Sequence, residues 1–248
     1  MSSFSVLSLP QEQLENLEAL GYQSMTPVQM AALPPGLAGR DLVVQAQTGS
    51  GKTVAFGLPV LADINPRDFG TQALILCPTR ELAAQVATEI RRLARALPNL
   101  KVVVLCGGQP IGPQIGSLEH GAHIVVGTPG RVKDHLRKQT LTLPRLKTLV
   151  LDEADRMLDM GFSDDMTDII SETPSSRQTL LFSATFPDDI ASISAQYQRT
   201  PERITVSTQV ADGQIAQIFV RTQRSDKTQT LINLIQGYQP SAAVIFCQ

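Results

Sequence analysis

Short apolar runs rich in β-branched residues recur along the chain, separated by longer stretches with helical spacing. DLVVQA (41–46), TQALILC (71–77), KVVVLC (101–106), HIVVGT (123–128), LKTLVLD (146–152) and QTLLFSA (178–184) predict strands. In ELAAQVATEIRRLARAL, residues Leu82, Val86, Ile90, Leu93 and Leu97 fall three or four apart, which predicts a helix with one apolar face. Near-continuous apolar strands alternating with helices belong to an α/β fold, a mostly parallel sheet covered by helices on both faces. After TPERITVST (200–208) the pattern changes: a polar stretch, QVADGQ, leads into IAQIFV, DKTQTLINLIQG and AAVIFC, which read as strand, helix and strand. One βαβ piece cannot close a two-sided core. Residues 1–208 are therefore expected to form one domain, and 209–248 a linker with the opening of a second, or else an extra flank of the first.

Composition narrows the function. With 248 residues, 42% of them hydrophobic, the chain can bury a sizeable core. Only 18% are charged and the net charge is −2, so no general positive field exists and a nucleic acid would need a local patch. The start, MSSFSVLSLPQEQLENL, lacks the basic opening of a signal peptide, and no apolar run approaches a membrane span. A cytoplasmic protein with no membrane partner is expected. Cys77, Cys106 and Cys247 are odd in number and far apart, as free thiols in a reducing compartment would be. His120, His123 and His135 show no zinc-ligand spacing.

One segment stands out chemically. AQTGSGKT (46–53) joins a strand to a helix and matches the phosphate-loop pattern G-x-x-x-x-G-K-[ST] with Ala46 in the first position. Small residues there let Ala46, Gln47, Thr48, Gly49, Ser50 and Gly51 turn backbone N–H groups toward phosphate oxygens at a helix N-terminus. Lys52 then neutralises the β- and γ-phosphates of a nucleotide such as ATP, and Thr53 is a ligand for Mg²⁺. The metal needs an acid at the end of a neighbouring strand. Asp152 follows Leu149–Leu151 and supplies it, while Glu153 is placed to act as general base or to orient water. Asp155 can equally be a plain first-turn helix acid.

The tetrad Asp152-Glu153-Ala154-Asp155 resembles the signature of the DEAD-box ATP-dependent RNA helicases. The family's other motifs occur in order: GYQSMTPVQ (21–29) with an outlying Phe4, AQTGSGKT, PTREL (78–82), GG (107–108), TPGR (128–131) and SAT (183–185). Each short motif alone is weak; their order is not. The resemblance implies a RecA-like P-loop NTPase fold, with 1–208 as the first RecA-like lobe. It implies RNA-stimulated hydrolysis of ATP with Mg²⁺, coupled to local opening of short duplexes. Gln29 carries the amide donor and acceptor that match adenine's N6 and N7, and it is implied to select ATP. Tyr22 or Phe4 then packs on the base, although both also fit as ordinary core aromatics. Thr26 and Pro27 cap and begin the helix that carries Gln29. Ser183, Ala184 and Thr185 are implied, with Asp155, to couple nucleotide state to RNA binding; a purely local role for the two hydroxyls stays open.

The RNA surface follows from the same resemblance. Pro78, Thr79, Arg80, Gly107, Gly108, Thr128, Pro129, Gly130 and Arg131 lie after strands and at helix starts. There they can hold phosphates and riboses of single-stranded or short duplex RNA without reading bases. Arg80 has an alternative as a partner of Glu81 or Glu153. The basic groups Arg91, Arg92 and Arg95, and the run HLRKQ (135–139), read as solvated helix surface. LCGGQP, RMLDMGFSD and SSRQTLLFSATFP resemble bacterial members, some specific for ribosomal RNA, which makes ribosomal RNA a candidate partner by association. In the family a second RecA-like lobe completes the ATP site with arginines, so activity is expected to require it, in a monomer. Two rival readings compete. A generic P-loop ATPase leaves Gln29, PTREL, TPGR and SAT without a purpose, and a non-catalytic RNA-binding scaffold leaves Lys52, Thr53 and Glu153 unexplained.

Overall fold

The computed structural model describes residues 2–206 and 218–246. The chain divides into two compact units, Met1–Thr208 and Gln209–Gln248. In the first, helices α1 (Gln11–Ala19) and α2 (Pro27–Leu37) precede an alternation of strands and helices. It runs β1 (Leu42–Gln45), α3 (Lys52–Ala62), β2 (Ala73–Leu76), α4 (Arg80–Leu93), β3 (Val102–Leu105), α5 (Gly112–Leu118), β4 (Ile124–Gly127) and α6 (Pro129–Arg137). It continues with β5 (Thr148–Leu151), α7 (Ala154–Asp159), α8 (Ser163–Ser171), β6 (Gln178–Ser183), α9 (Asp188–Tyr197) and β7 (Glu202–Thr205).

The seven strands form one sheet in the order β3-β4-β2-β5-β6-β1-β7. Every pairing is parallel. Parallel strands need crossovers, and these cover both faces with helices. One apolar cluster packs Val28 and Leu33 of α2, Phe56 and Leu58 of α3 and Val86 and Ile90 of α4 on one face. On the other, Val132 of α6, Met157 of α7, Ile169 of α8 and Ile190 of α9 close a second cluster. The strand residues alternate between the two: Val44 and Ile75 face the first, Val43 and Leu74 the second. Strand β7, which the sequence pattern alone did not single out, closes the β1 edge with Ile204 opposite Val44.

Helix α4 uses a wider apolar face than its large residues announce. Ala83, Val86, Ala87, Ile90 and Leu93 are buried, Leu82 is only partly covered, and Leu97 lies beyond the end of the helix at Leu93. The alanines let the helix sit close to the sheet. In the second unit, DKTQTLINLIQG does form a helix, α10 (Lys227–Tyr238). The flanking strand expectation needs correction where residues are described: 218–220 and 242–246 carry no strand. A strand needs a hydrogen-bonded neighbour, and among the described residues these segments show none. The first half of IAQIFV, residues 215–217, and Cys247 lie outside the described residues.

Candidate functional site

Strand order decides which motifs meet. The carboxyl ends of β5, β6 and β1 lie side by side, so DEAD, SAT and the phosphate loop emerge from three adjacent strands with SAT in the middle. The ends of β3, β4 and β2 carry GG, TPGR and PTREL on the other half of the same edge. Open parallel sheets bind ligands at that edge.

In the nucleotide half, the loop from Ala46 to Gly51 leads into α3, which starts at Lys52. Gly51 caps α3 with φ of +94°, a conformation that L side chains rarely adopt, and a Cβ there would stand 2.6 Å from Gln29 Nε2. Lys52 is almost fully buried and its Nζ donates to the Ala46 carbonyl at 3.2 Å. The lysine thus folds back over the loop, in reach of anything the loop cradles. Ser50 Oγ donates to the Gln47 carbonyl at 2.7 Å, which braces the turn from within. Gln47 is exposed.

A cavity of about 430 Å³ opens beside this loop. Tyr22, Thr26 and Gln29 line one end, Thr48, Gly49, Gly51, Lys52 and Thr53 its floor, and Asp152 and Glu153 the other end. Asp152 is 3% exposed, and its Oδ1 has no hydrogen-bond partner. Burial pushes its carboxyl up to about 6, against the pull of Lys52 and helped by the nearby Glu153. A buried orphan carboxylate oxygen that shares this cavity with a threonine is an oxygen donor set suited to a hard divalent cation with its waters. Thr53 and Asp152 therefore fit Mg²⁺. Glu153 sits at φ of +52° at the start of α7. Such strain costs about 1–3 kcal/mol and persists where neighbours fix it. Here Thr48 Oγ1 donates to Glu153 Oε1 at 3.4 Å, and Arg156 Nη1 lies 3.3 Å from Oε2.

Gln29 is buried, and its amide is held at both ends. Its Oε1 accepts the Thr26 N–H at 2.9 Å in a capping box, and its Nε2 donates to the Gly51 carbonyl at 3.1 Å. Each end keeps one further hydrogen-bonding valence for a base edge. Phe4 does not reach the cavity. It is buried behind Tyr22, the two rings meeting edge-on with centroids 6.3 Å apart. Sequence reasoning missed the fourth wall, which α4 supplies through Leu82, Gln85, Val86 and Glu89. The helical spacing of Leu82, Val86 and Glu89 marks that stripe, but only the fold shows what it faces.

SAT joins the phosphate loop to the DEAD segment. The Ser183 carbonyl accepts the Ala46 N–H at 2.9 Å, and Ser183 Oγ accepts the Asp155 N–H at 3.3 Å. The Asp155 carboxylate takes both the N–H and the hydroxyl of Thr185 at 2.8 Å. Burial works against the charged form of Asp155, but the bonds from Thr185, Ser183 and Arg156 outweigh it and hold the carboxyl below its ordinary range. Asp155 is thus more than a first-turn helix acid. Ala184 contributes its carbonyl to Gln45 Nε2 at 3.4 Å.

In the other half, Pro78 is buried and Thr79 caps α4 by accepting the Leu82 N–H at 3.3 Å. Arg80 lies over Gly108, where φ is +77° and a Cβ would collide with the guanidinium. Its ion pair with Glu81 is a loose 3.9 Å between exposed groups, and Glu153 is occupied by Arg156. Thr128 and Pro129 are buried at the start of α6. Arg131 Nη2 donates to the Gln109 carbonyl at 3.0 Å, tying TPGR to the chain just after Gly107 and Gly108. Its Nε and Nη1 are buried without a hydrogen-bond partner beside a cavity of about 390 Å³ that Gly107, Thr128 and Gly130 also line. Arg91, Arg92 and Arg95 are exposed. His135, by contrast, is wholly buried although its run reads as surface. Its ring nitrogens meet Thr140 Oγ1 at 2.8 Å and Gln114 Oε1 at 3.2 Å.

A family model described as DEAD/DEAH box helicase matches residues 26–193. The chain is 58% identical over 248 residues to the ATP-dependent RNA helicase DbpA of Escherichia coli K12, covering 54% of that protein. It is 43% identical over 247 residues to the ATP-dependent RNA helicase CshA of Listeria monocytogenes, covering 47% of it. A solved DEAD box protein from the hyperthermophile Methanococcus jannaschii superposes with a TM-score of 0.80 at 38% identity, over 95% of this chain and 64% of that one. The chain spans about half the length of the curated relatives it matches.

Proposed function

Because the chain belongs to the DEAD/DEAH box helicase family, we propose that it is the ATP-binding lobe of an ATP-dependent RNA helicase and carries half of the RNA path. One observation supports this most: phosphate loop, SAT and DEAD leave three neighbouring strands, while PTREL, TPGR and GG leave three further strands on the same edge. A generic P-loop ATPase has no use for the second set, nor a scaffold for the first.

In this reading Gln29 offers its spare amide valences to adenine, and the backbone of Thr48–Gly51 with Lys52 holds the phosphates. Thr53 and Asp152 hold Mg²⁺, which when bound offsets the charge that develops on the phosphates. Glu153, fixed by Thr48 and Arg156, orients a water toward the γ-phosphate and accepts its proton. Asp155, Ser183 and Thr185 relay the state of the site across the sheet edge. Arg131 and Arg80, with the free N–H groups of the α4 and α6 starts, hold an RNA backbone irrespective of sequence. Transferred charge still needs the arginines that a second RecA-like lobe supplies, worth about 10³-fold or more in related phosphoryl transfer. Ribosomal RNA is the candidate target, by the resemblance of LCGGQP, RMLDMGFSD and SSRQTLLFSATFP to bacterial members of the family. The buried free thiols Cys77 and Cys106 fit a reducing cytoplasm.

Titration with ATP, ADP and GTP tests the base assignment. Adenine nucleotides should bind more tightly, and Gln29→Ala should remove the preference at a cost of roughly 1–3 kcal/mol. Equal affinity for GTP in the parent chain would contradict it.

A further inference from the structure

Tyr22 stands at the base end of the nucleotide cavity, and its ring is fixed at two points. Phe4 packs edge-on against it. Its hydroxyl donates to Glu89 Oε1 on α4. The other oxygen of Glu89 takes Arg92 Nη1 at 2.8 Å, and the glutamate side chain is only 19% exposed. Burial, with the Glu89 bond and charge adding to it, pushes the Tyr22 hydroxyl up to about 12, so it remains a donor at neutral pH.

A shielded carboxylate in the wall of a site for a polyanion calls for a reason. It cannot serve the phosphates, whose charge it would repel. The exposed Arg92 offsets its charge through one oxygen, and the other oxygen is committed to Tyr22. Without that bond the ring keeps its packing on Phe4 and the neighbouring core, but its hydroxyl end loses its anchor. Binding a base would then have to immobilise it.

We propose that Glu89 is a positioning residue for nucleotide recognition: it holds the Tyr22 hydroxyl and so presets the aromatic wall against which the adenine packs. The inference rests on the reading of this cavity as an adenine-nucleotide site. It also gives α4 a part at both ends, because its first turn carries Arg80 and its third turn carries Glu89.

Affinity for ATP and for inorganic tripolyphosphate, measured on residues 1–248, tests it. Glu89→Ala and Tyr22→Phe should each weaken ATP about three- to tenfold, the cost of ordering one side chain on binding. The double variant should be no weaker than either single one, because both remove the same bond. Glu89→Gln, whose amide oxygen still accepts from the hydroxyl, should restore ATP affinity, and tripolyphosphate should bind alike in all four. Parent-like ATP binding by Glu89→Ala, additive losses in the double variant, or an equal loss of tripolyphosphate would overturn the proposal. Tyr22→Ala separates the levels. If it weakens ATP while Glu89→Ala does not, the role of Glu89 alone fails; if it has no effect, the adenine reading fails as well.

Discussion

Asp155 and Thr185 are joined twice, the Asp155 Oδ2 accepting both the backbone N–H and the hydroxyl of Thr185 at 2.8 Å. The pair bridges the end of β5 to the segment after β6, and Ser183 carries the connection on to the phosphate loop. A change at the phosphates therefore has a continuous hydrogen-bonded path to the DEAD segment. Thr185→Ala keeps the N–H bond and loses the charge-assisted hydroxyl bond, worth about 1.5–3 kcal/mol. In an enzyme carrying both lobes, RNA-stimulated turnover and unwinding should fall about ten- to hundredfold while ATP affinity stays near the parent value. An equal loss of ATP affinity would assign Thr185 to nucleotide binding instead.

Lys52 and Glu153 should separate cleanly. Lys52→Ala removes the buried ammonium that the phosphate loop wraps around, so nucleotide binding itself should drop, as titration of this chain can report. Glu153→Gln keeps shape and removes the base, so in the two-lobed enzyme ATP should bind and turnover should stop. Hydrolysis at the parent rate by the glutamine variant would exclude Glu153 from the chemistry.

Arg131 has two buried nitrogens without a hydrogen-bond partner, its Nε only loosely ion-paired with Asp134 at 3.7 Å, and it donates Nη2 to the Gln109 carbonyl just after GG. Arg131→Ala should weaken RNA binding alike for all sequences and lower the slope of log affinity against log salt by roughly 0.7, one phosphate's share on a single strand. Arg131→Lys should not restore it, because a lysine lacks the planar fork that reaches Gln109 and a phosphate together. A sequence-selective loss would point to base readout.

His135 makes stability depend on pH. Burial holds its imidazole below the usual value of 6.5, with Arg131 and Lys138 adding to the effect and Asp134 opposing it. Between the lowered folded value and 6.5 the unfolded chain binds the proton that the folded chain refuses. Stability is therefore complete above pH 6.5, falls as pH drops toward the folded value, and has no further slope from this group below it. Melting curves from pH 7.5 to 5 should show the parent losing Tm faster than His135→Asn. Parallel curves would mean that His135 titrates alike in both states.

Much of this arrangement is legible in the sequence, for stated physical reasons. Apolar runs such as LVVQ and ALIL are strands because both of their faces are covered, and AQTGSGKT announces bare backbone beside a cation. What the sequence does not carry is strand order. Only the sheet shows that β6 lies between β1 and β5, which puts Ser183 against Ala46 and Asp155 at once. The same holds for Glu89, a charged residue on an amphipathic helix whose partner is 67 positions away. Charge patterning misled at His135, since a lone imidazole among Arg137 and Lys138 gives no sign that Gln114 and Thr140 wait beneath it. β7 escaped notice because its ERIT is half polar and lies at the sheet edge.

ATP hydrolysis with and without single-stranded RNA, measured on residues 1–248 and on the same sequence joined to a second RecA-like lobe, tests the central claim most directly. The chain holds Lys52, Thr53, Asp152 and Glu153 around one cavity, yet among the described residues that line it there is no arginine to meet the charge of a transferring phosphate. Residues 1–248 alone should bind ATP and show little RNA-stimulated turnover, and the two-lobed form should hydrolyse ATP in an RNA-dependent way. Strong RNA-dependent turnover by residues 1–248, or a two-lobed form that stays inactive with RNA, would contradict the account.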